Sequence, residues 1–261
     1  MSLRTAVDVV DLEARVKAMY SAVATHPEAA YHFELGRPLA ERLGYPAETL
    51  DRLPAAAVDS FAGVGYFFDL ADLRLGEAVL DLGSGSGTDS FVAATQVGPT
   101  GRVVGVDLTT AQLAKAATLA AGAGLAVELV EGRIEDLPFP DASFDAVISN
   151  GVVNLSPDKA RVFAEAARVL RPGGRLVLAD IVSETALGDA ITADAELWAA
   201  CIGGAAQVEE YLGAIEAAGL QVERRRDNPY RFVSARAQRA SSRYGVRSVT
   251  VLARRPLSRP A

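Results

Sequence analysis

The sequence predicts an α/β fold: a doubly wound, mostly parallel sheet of seven strands with the last strand antiparallel. Three observations carry this. Apolar strand-like runs alternate with helix-like runs from residue 78 to residue 182. The first run ends in a cluster of glycines, as a buried parallel strand does where its turn must accept a ligand. The two closing runs, 220–227 and 247–255, are both strand-like.

Residues 5–55 place Ala, Leu, Glu and Arg at helical spacing, punctuated by His26-Pro27, Arg37-Pro38 and Tyr45-Pro46. Two or three short helices are expected there. DSFAGVGYFFDLADL (59–73) reads as a Gly- and Phe-rich connection. The expected strands are AVLDLG (78–83), VVGVDL (103–108), LAVELVEG (125–132), DAVISN (145–150) and RLVLADIV (175–182). Between them fall helices at 88–97, at 109–124 with a Thr cap and a Gly stop, and at 156–174. The last is expected to start at Ser156 with Pro157 in the first helical position and to end at Pro172-Gly173-Gly174. Alternation of this kind dictates right-handed crossovers with helices on both faces. Residues 186–220 read as mainly helical. The expected organisation is an N-terminal helical lid (1–58), one α/β domain (59–255) with a helical cap insertion around 186–218, and a short tail (256–261).

The bulk properties bound the function. The chain has 261 residues, half of them apolar, and a formal charge of −7. Such a surface repels a phosphate backbone, so a nucleic-acid partner is not expected. No run reaches the ~20 apolar residues of a membrane span, and the N-terminus lacks a signal-peptide pattern. With one cysteine, Cys201, an internal disulfide or a thiolate-rich metal site is ruled out within the chain. A cytoplasmic protein is expected, monomer or homodimer, acting on a small molecule without a bound metal. Arg224, Arg225, Arg226, Arg231, Arg236, Arg239, Arg243 and Arg247 read as a solvated face.

The chemistry starts at Asp81-Leu82-Gly83-Ser84-Gly85-Ser86-Gly87. Gly83, Gly85 and Gly87 remove Cβ atoms that would hold a ligand off the backbone, and Ser84 sits among them. Nicotinamide and flavin enzymes use related turns. Here the spacing is G-x-G-x-G, and Asp81 stands two residues before the first glycine. A carboxylate there crowds a pyrophosphate but suits the ammonium of a methionine group. Asp107, ending the second strand with Leu108 beside it, suits the two hydroxyls of a ribose. After the third strand, GRIEDLPF offers the Ile134 amide and the carboxylate of Glu135 or Asp136 to the edge of an adenine. These marks point to a Rossmann-like sheet holding S-adenosyl-L-methionine, with a dinucleotide-binding dehydrogenase as the discounted competitor.

In this order, VLDLGSGSG, VVGVDLT, GRIEDLPF, SNGVVNLSPDK and VLRPGGRLVLADIV resemble the class I S-adenosylmethionine-dependent methyltransferases. More narrowly, the chain resembles the arsenite methyltransferase family, through SFAGVGYFFDLADL, SNGVVNLSPDKARVFAEAARVLRPGG, LWAACIGGA and the ending RSVTVLARR, over roughly residues 58–255. The resemblance implies in-line displacement at a sulfonium methyl. The family holds thiophilic arsenic with cysteines. One of them falls at Gly151 of this chain and another at Cys201, and neither Ser90 nor the region of Gly63 supplies a thiol. The expected acceptor is therefore a small organic molecule methylated on N, O or C. Arsenite with a reduced cysteine set, and a catalytically silent cofactor-binding protein, are the alternatives.

The remaining candidates lie toward the acceptor. Tyr20, on a helix that folds over the cofactor in related enzymes, is placed to close the methyl site. Asn150 and Asn154 follow the fourth strand, where acceptors bind. His26 and His32 are the only histidines and the candidates for a general base. Asp227-Asn228-Pro229-Tyr230 resembles the amino-methylating motif of nucleic-acid methyltransferases, but it follows the sixth strand rather than the fourth and is discounted.

Overall fold

The computed structural model describes residues 8–31, 33–194, 197–198 and 201–257, with backbone only at Arg236. Its sheet runs β3-β2-β1-β4-β5-β8-β7, with the short β6 beside β5. The strands are β1 (Ala78–Leu82), β2 (Arg102–Asp107), β3 (Val127–Glu131), β4 (Phe144–Asn150), β5 (Leu170–Ser183), β6 (Ala206–Gln207), β7 (Gln221–Asp227) and β8 (Arg247–Arg254). β1 to β5 pair in parallel, and β8 is antiparallel to both β5 and β7. The seven expected strands are all present. The eighth, β6, is a two-residue strand inside the region read as a helical cap, too short to show a pattern.

Alternation along each strand builds two cores. Val79, Val103, Ile148 and Val177 face one side, and Leu80, Val104, Val147 and Leu176 face the other. All five residues of β1 are buried, which is why its sequence is apolar apart from Asp81.

The helices are α1 (Val9–Thr25), α2 (Gly36–Leu43), α3 (Ala47–Leu50), α4 (Ala55–Asp59), α5 (Phe68–Ala71), α6 (Thr88–Val97), α7 (Thr110–Ala123), α8 (Lys159–Val169), α9 (Asp189–Thr192), α10 (Val208–Ala217) and α11 (Ala235–Tyr244). Two boundaries differ from expectation. α8 is capped by Asp158, which accepts the Arg161 amide at 3.0 Å, not by Ser156. Ser156 Oγ instead accepts the Asp158 amide and donates to Glu135 at 2.5 Å. At its other end α8 stops at Val169, because Leu170 already pairs with Phe144 of β4.

α11 lies where the sequence showed only a basic run. Ser234 caps it, accepting from the Ala237 amide. Its inward face is made of Ala237 and Ala240, so no large apolar residue marks the helical period. Several of the arginines around it are engaged locally: Arg225 pairs with Glu209, Arg226 with Asp69, and Arg247 with Glu184 and Asp227. Among the described residues no helix is long and apolar enough to cross a membrane.

α1 lies across the carboxyl edge of the sheet and is tied to the body at four points. Gln112 donates to the Tyr20 carbonyl at 3.0 Å, Lys115 to the Ala24 carbonyl at 2.9 Å, and Ser60 to the Val23 carbonyl at 3.1 Å. Arg133 reaches back to Glu13.

Candidate active site

A cleft opens beyond the carboxyl ends of β1, β2 and β4, the position a doubly wound sheet reserves for a ligand. It is floored by the turn after β1, and α1 roofs it with Leu12, Glu13, Val16 and Tyr20.

The glycine turn divides its work. Gly83, Gly85 and Gly87 all take left-handed φ, at 72°, 53° and 96°. A Cβ at Gly83 would lie 2.4 Å from Val152, and one at Gly87 2.5 Å from Phe91. Those two glycines permit close packing. Gly85 is different, since the nearest atom to a Cβ there is 3.9 Å away. Its missing side chain leaves space in the cleft itself. Gly87 is not part of the cleft wall; it starts α6.

Three carboxylates serve this floor. Asp107 accepts the Gly85 amide at 2.9 Å and the Thr109 amide at 2.8 Å, which fixes its plane at the end of β2. Thr109, the N-cap residue of α7, makes no side-chain cap bond; its own amide is the one Asp107 accepts. Asp81 is 2 % exposed and accepts from Ser90 Oγ at 2.6 Å. Asp89, also buried, accepts from Tyr45 Oη at 2.5 Å and from Asn150 Nδ2 at 2.9 Å. Burial, and then the neighbouring Asp89, push Asp81 up to about 8. Burial likewise pushes Asp89 up to about 6, held down by its bonds from Tyr45 and Asn150. Two desolvated acids side by side do not both ionise readily, and a cation placed between them relieves the repulsion.

Asn150 is more committed than its position after β4 suggested. Its Oδ1 accepts the Val64 amide at 2.7 Å, and its Nδ2 donates to the Gly65 carbonyl, Tyr45 and Asp89. It lines the cleft but acts as a latch, holding the 62–65 loop against α6. Ile134 and Glu135 sit at the opposite end with Leu108, Gly132 and Arg133. Glu135 is aimed by Ser156 and by Arg133, whose Nε lies 3.8 Å away.

Cys201 is buried and takes a left-handed φ of 61°. It is not in the cleft wall; its Sγ lies 3.8 Å from Tyr20 Oη, behind the wall. Burial pushes its thiol up to about 11. His26 is placed away from all of this. It caps the end of α1, is largely exposed, and faces Glu28 at 3.5 Å. The base role suggested by its titration range has no geometric support there. His32 lies outside the described residues.

Sequence reasoning missed Asp89, Gln112 and Arg133. Asp89 follows the glycine turn by two residues, and a second acid so close to Asp81 was the available signal. Gln112 donates to the Tyr20 carbonyl and receives Ser86 Oγ, joining lid to glycine turn. Nothing in the chain marks it, because its partners are 92 and 26 residues away.

The cleft fits S-adenosylmethionine on features of its own. There is an open cradle at Gly85, an acid pair without a cation at Asp81, an oriented carboxylate at Asp107, and a buried Ser84 hydroxyl lacking a partner. Comparison with known proteins agrees. Residues 73–219 match the family model described as a methyltransferase domain. The chain is 40% identical over 220 residues to an arsenite methyltransferase of Halobacterium salinarum, covering 83% of this chain and 56% of that protein. It is 49% identical over 135 residues to another of Aquipseudomonas alcaligenes, covering 49% of this chain and 39% of that protein. The chain thus spans roughly 40 to 55 percent of the length of these curated relatives. A solved arsenic(III) S-adenosylmethionine methyltransferase from Chlamydomonas reinhardtii superposes with a TM-score of 0.63 at 30% identity, covering 85% of this chain and 74% of that one. On its sheet order, its glycine cradle and these likenesses, the chain belongs to the class I S-adenosylmethionine-dependent methyltransferases, in their arsenite methyltransferase-like branch.

Proposed function

We propose that this protein transfers the methyl group of S-adenosylmethionine to a small organic acceptor on N, O or C. The observation that carries the choice of acceptor is the surface around Tyr20. Tyr20 stacks on Phe33 with ring centroids 6.1 Å apart, and Tyr31 on Phe33 at 5.8 Å. Leu12, Val16, Phe61, Val152 and Leu155 line the cleft with Tyr20. The walls are aromatic and aliphatic, and the chain's one thiol stands behind them protonated.

The bound cofactor supplies an electrophilic methyl on a sulfonium. Asp81 would take its ammonium, Asp107 its ribose hydroxyls, and Ile134 with Glu135 the adenine edge. The chain's own part is alignment and exclusion of water. α1 closes the roof through Tyr20, and Asn150 fixes the loop that forms the far wall.

Arsenite is the second reading, favoured by the names of the relatives. Against it stand the single cysteine and the glycine at position 151. Gly151 takes a φ of 73°, a conformation a cysteine would adopt only with strain. One thiol does not chelate arsenic, so this reading needs free thiols as co-ligands. The deciding assay follows S-adenosylhomocysteine formation with arsenite plus glutathione on one side and a panel of phenols, amines and enolic acceptors on the other. Turnover confined to arsenite, and abolished by Cys201→Ala, would reverse the proposal.

A further inference from the structure

We propose that Gln112 is a positioning residue: it couples order in the glycine turn beneath the cofactor to α1, and so holds Tyr20 over the methyl site when the cofactor is bound. This rests on the methyl-transfer reading above and adds the part that ties the roof of the cleft to its floor.

Gln112 stands on the first turn of α7, is 2% exposed and lines the cleft. Its amide has a partner at each end. Nε2 donates to the Tyr20 carbonyl of α1 at 3.0 Å, and Oε1 accepts from Ser86 Oγ in the glycine turn. A carbonyl only accepts, so the amide nitrogen must face α1, and the oxygen is left for the serine hydroxyl. The Tyr20 carbonyl lies inside α1, where the helix already uses it, so this bond is not a cap that the helix requires. The other ties differ. Lys115 and Ser60 hold the Ala24 and Val23 carbonyls of the last turn, which a helix leaves without partners of its own. Glu13 and Arg133 pair on the partly exposed rim. Among the described residues, Gln112 alone hydrogen-bonds to both α1 and the glycine turn.

The position of the cradle makes this bridge sensitive to binding. Beyond the turn's own neighbouring residues, the one atom within 4 Å of a Cβ built on Gly85 is Gln112 Oε1, at 3.9 Å. A ligand seated in that space lies against both the turn and the amide. It restricts the turn, and with it the Ser86 hydroxyl that aims the amide. The bond to Tyr20 then costs less ordering entropy to keep, which is positive coupling without a change of shape. Such coupling is reciprocal: the factor by which the ligand steadies α1 is the factor by which the Tyr20 bond tightens the ligand. Docking of the helix as a whole rests on a different contact. Leu12 of α1 is buried against Trp198, the chain's one tryptophan.

The test is backbone amide exchange over residues 18–25, with and without saturating S-adenosylhomocysteine. The unmodified chain should gain roughly fivefold protection there on binding, the worth of one neutral hydrogen bond. Gln112→Met, of similar volume, should lose that gain. Ser86→Ala should lose it too, although its Gln112 still reaches Tyr20. Both variants should bind S-adenosylhomocysteine within about fivefold of the unmodified chain. Their Trp198 emission should stay unshifted, because α1 remains docked through Leu12. No gain in the unmodified chain, or the full gain in either variant, overturns the proposal. So does a Gln112→Met protein that loses protection equally with and without the ligand, or whose emission shifts to the red, since the amide is then only part of the fold. A loss of binding far beyond that factor overturns it as well, because Gln112 would then hold the cofactor directly. Ser86→Ala decides the question even where Gln112→Met does not fold. If S-adenosylhomocysteine binds without the gain, the coupling falls while the methyl-transfer reading stands. If S-adenosylhomocysteine does not bind, that reading falls with it.

Discussion

Replacing Asp81 by Asn tests the electrostatics on which cofactor binding depends. In the ligand-free chain Asp81 is buried beside Asp89 and pushed up to about 8, so at pH 7 it is about 90 % protonated. An ammonium at hydrogen-bonding distance lowers a carboxyl by roughly 1–3 units. A shift of about two units leaves Asp81 roughly 10 % protonated at pH 7. Binding of S-adenosylhomocysteine should therefore release about 0.8 proton. Calorimetric titration in phosphate and in Tris at pH 7 reads this number as the slope of observed enthalpy against buffer ionisation enthalpy. Asp81→Asn should remove most of the slope. It should also weaken binding by roughly 10- to 150-fold, the worth of one charged hydrogen bond. The same linkage fixes the sign of the stability profile. The folded value lies above the unfolded one, so the ligand-free fold holds an extra proton between about pH 4 and pH 8 and loses stability as pH rises through that window. Saturating S-adenosylhomocysteine should flatten the fall in Tm. A wild-type slope of zero, or an unchanged slope in Asp81→Asn, would refute the reasoning.

Gly85→Val should fill the cradle: cofactor affinity drops at least about 100-fold while Tm falls only a few degrees, since the added cost is the left-handed φ of about 1–2 kcal/mol. Gly83→Val should be far more destabilising in a urea melt, because its Cβ meets Val152. Lys159→Met leaves the Asn154 and Ser156 carbonyls without their buried donor and should cost about 1–3 kcal/mol by denaturant unfolding. The Cys201 thiol, buried and pushed up to about 11, should resist iodoacetamide at pH 7.5 in the native chain and react in urea. Rapid native labelling would show an accessible thiolate and revive the arsenite reading.

Much of the fold was legible because its signals are local. β1 is buried on both faces, so its sequence is apolar apart from Asp81; α6 and α7 end at glycines that take left-handed φ. α11 was illegible because its buried face is alanine, and the start of α8 because Ser156 and Asp158 are both competent caps. Which serine or aspartate caps is settled by Glu135, 21 residues away, which claims the Ser156 hydroxyl.

The sequence by itself determined the sheet, the glycine cradle and the two strand-end carboxylates, Asp81 and Asp107. Each of these is a residue type demanded at a fixed offset from a strand end. Only the tertiary structure decided the roles of Asn150, Asp89 and Cys201. Their function depends on which distant groups share their desolvated surroundings, and burial and hydrogen-bond competition are properties of the packed chain. That is why Asn150 proves to be a latch, His26 a solvent-facing cap, and Cys201 a protonated thiol behind Tyr20.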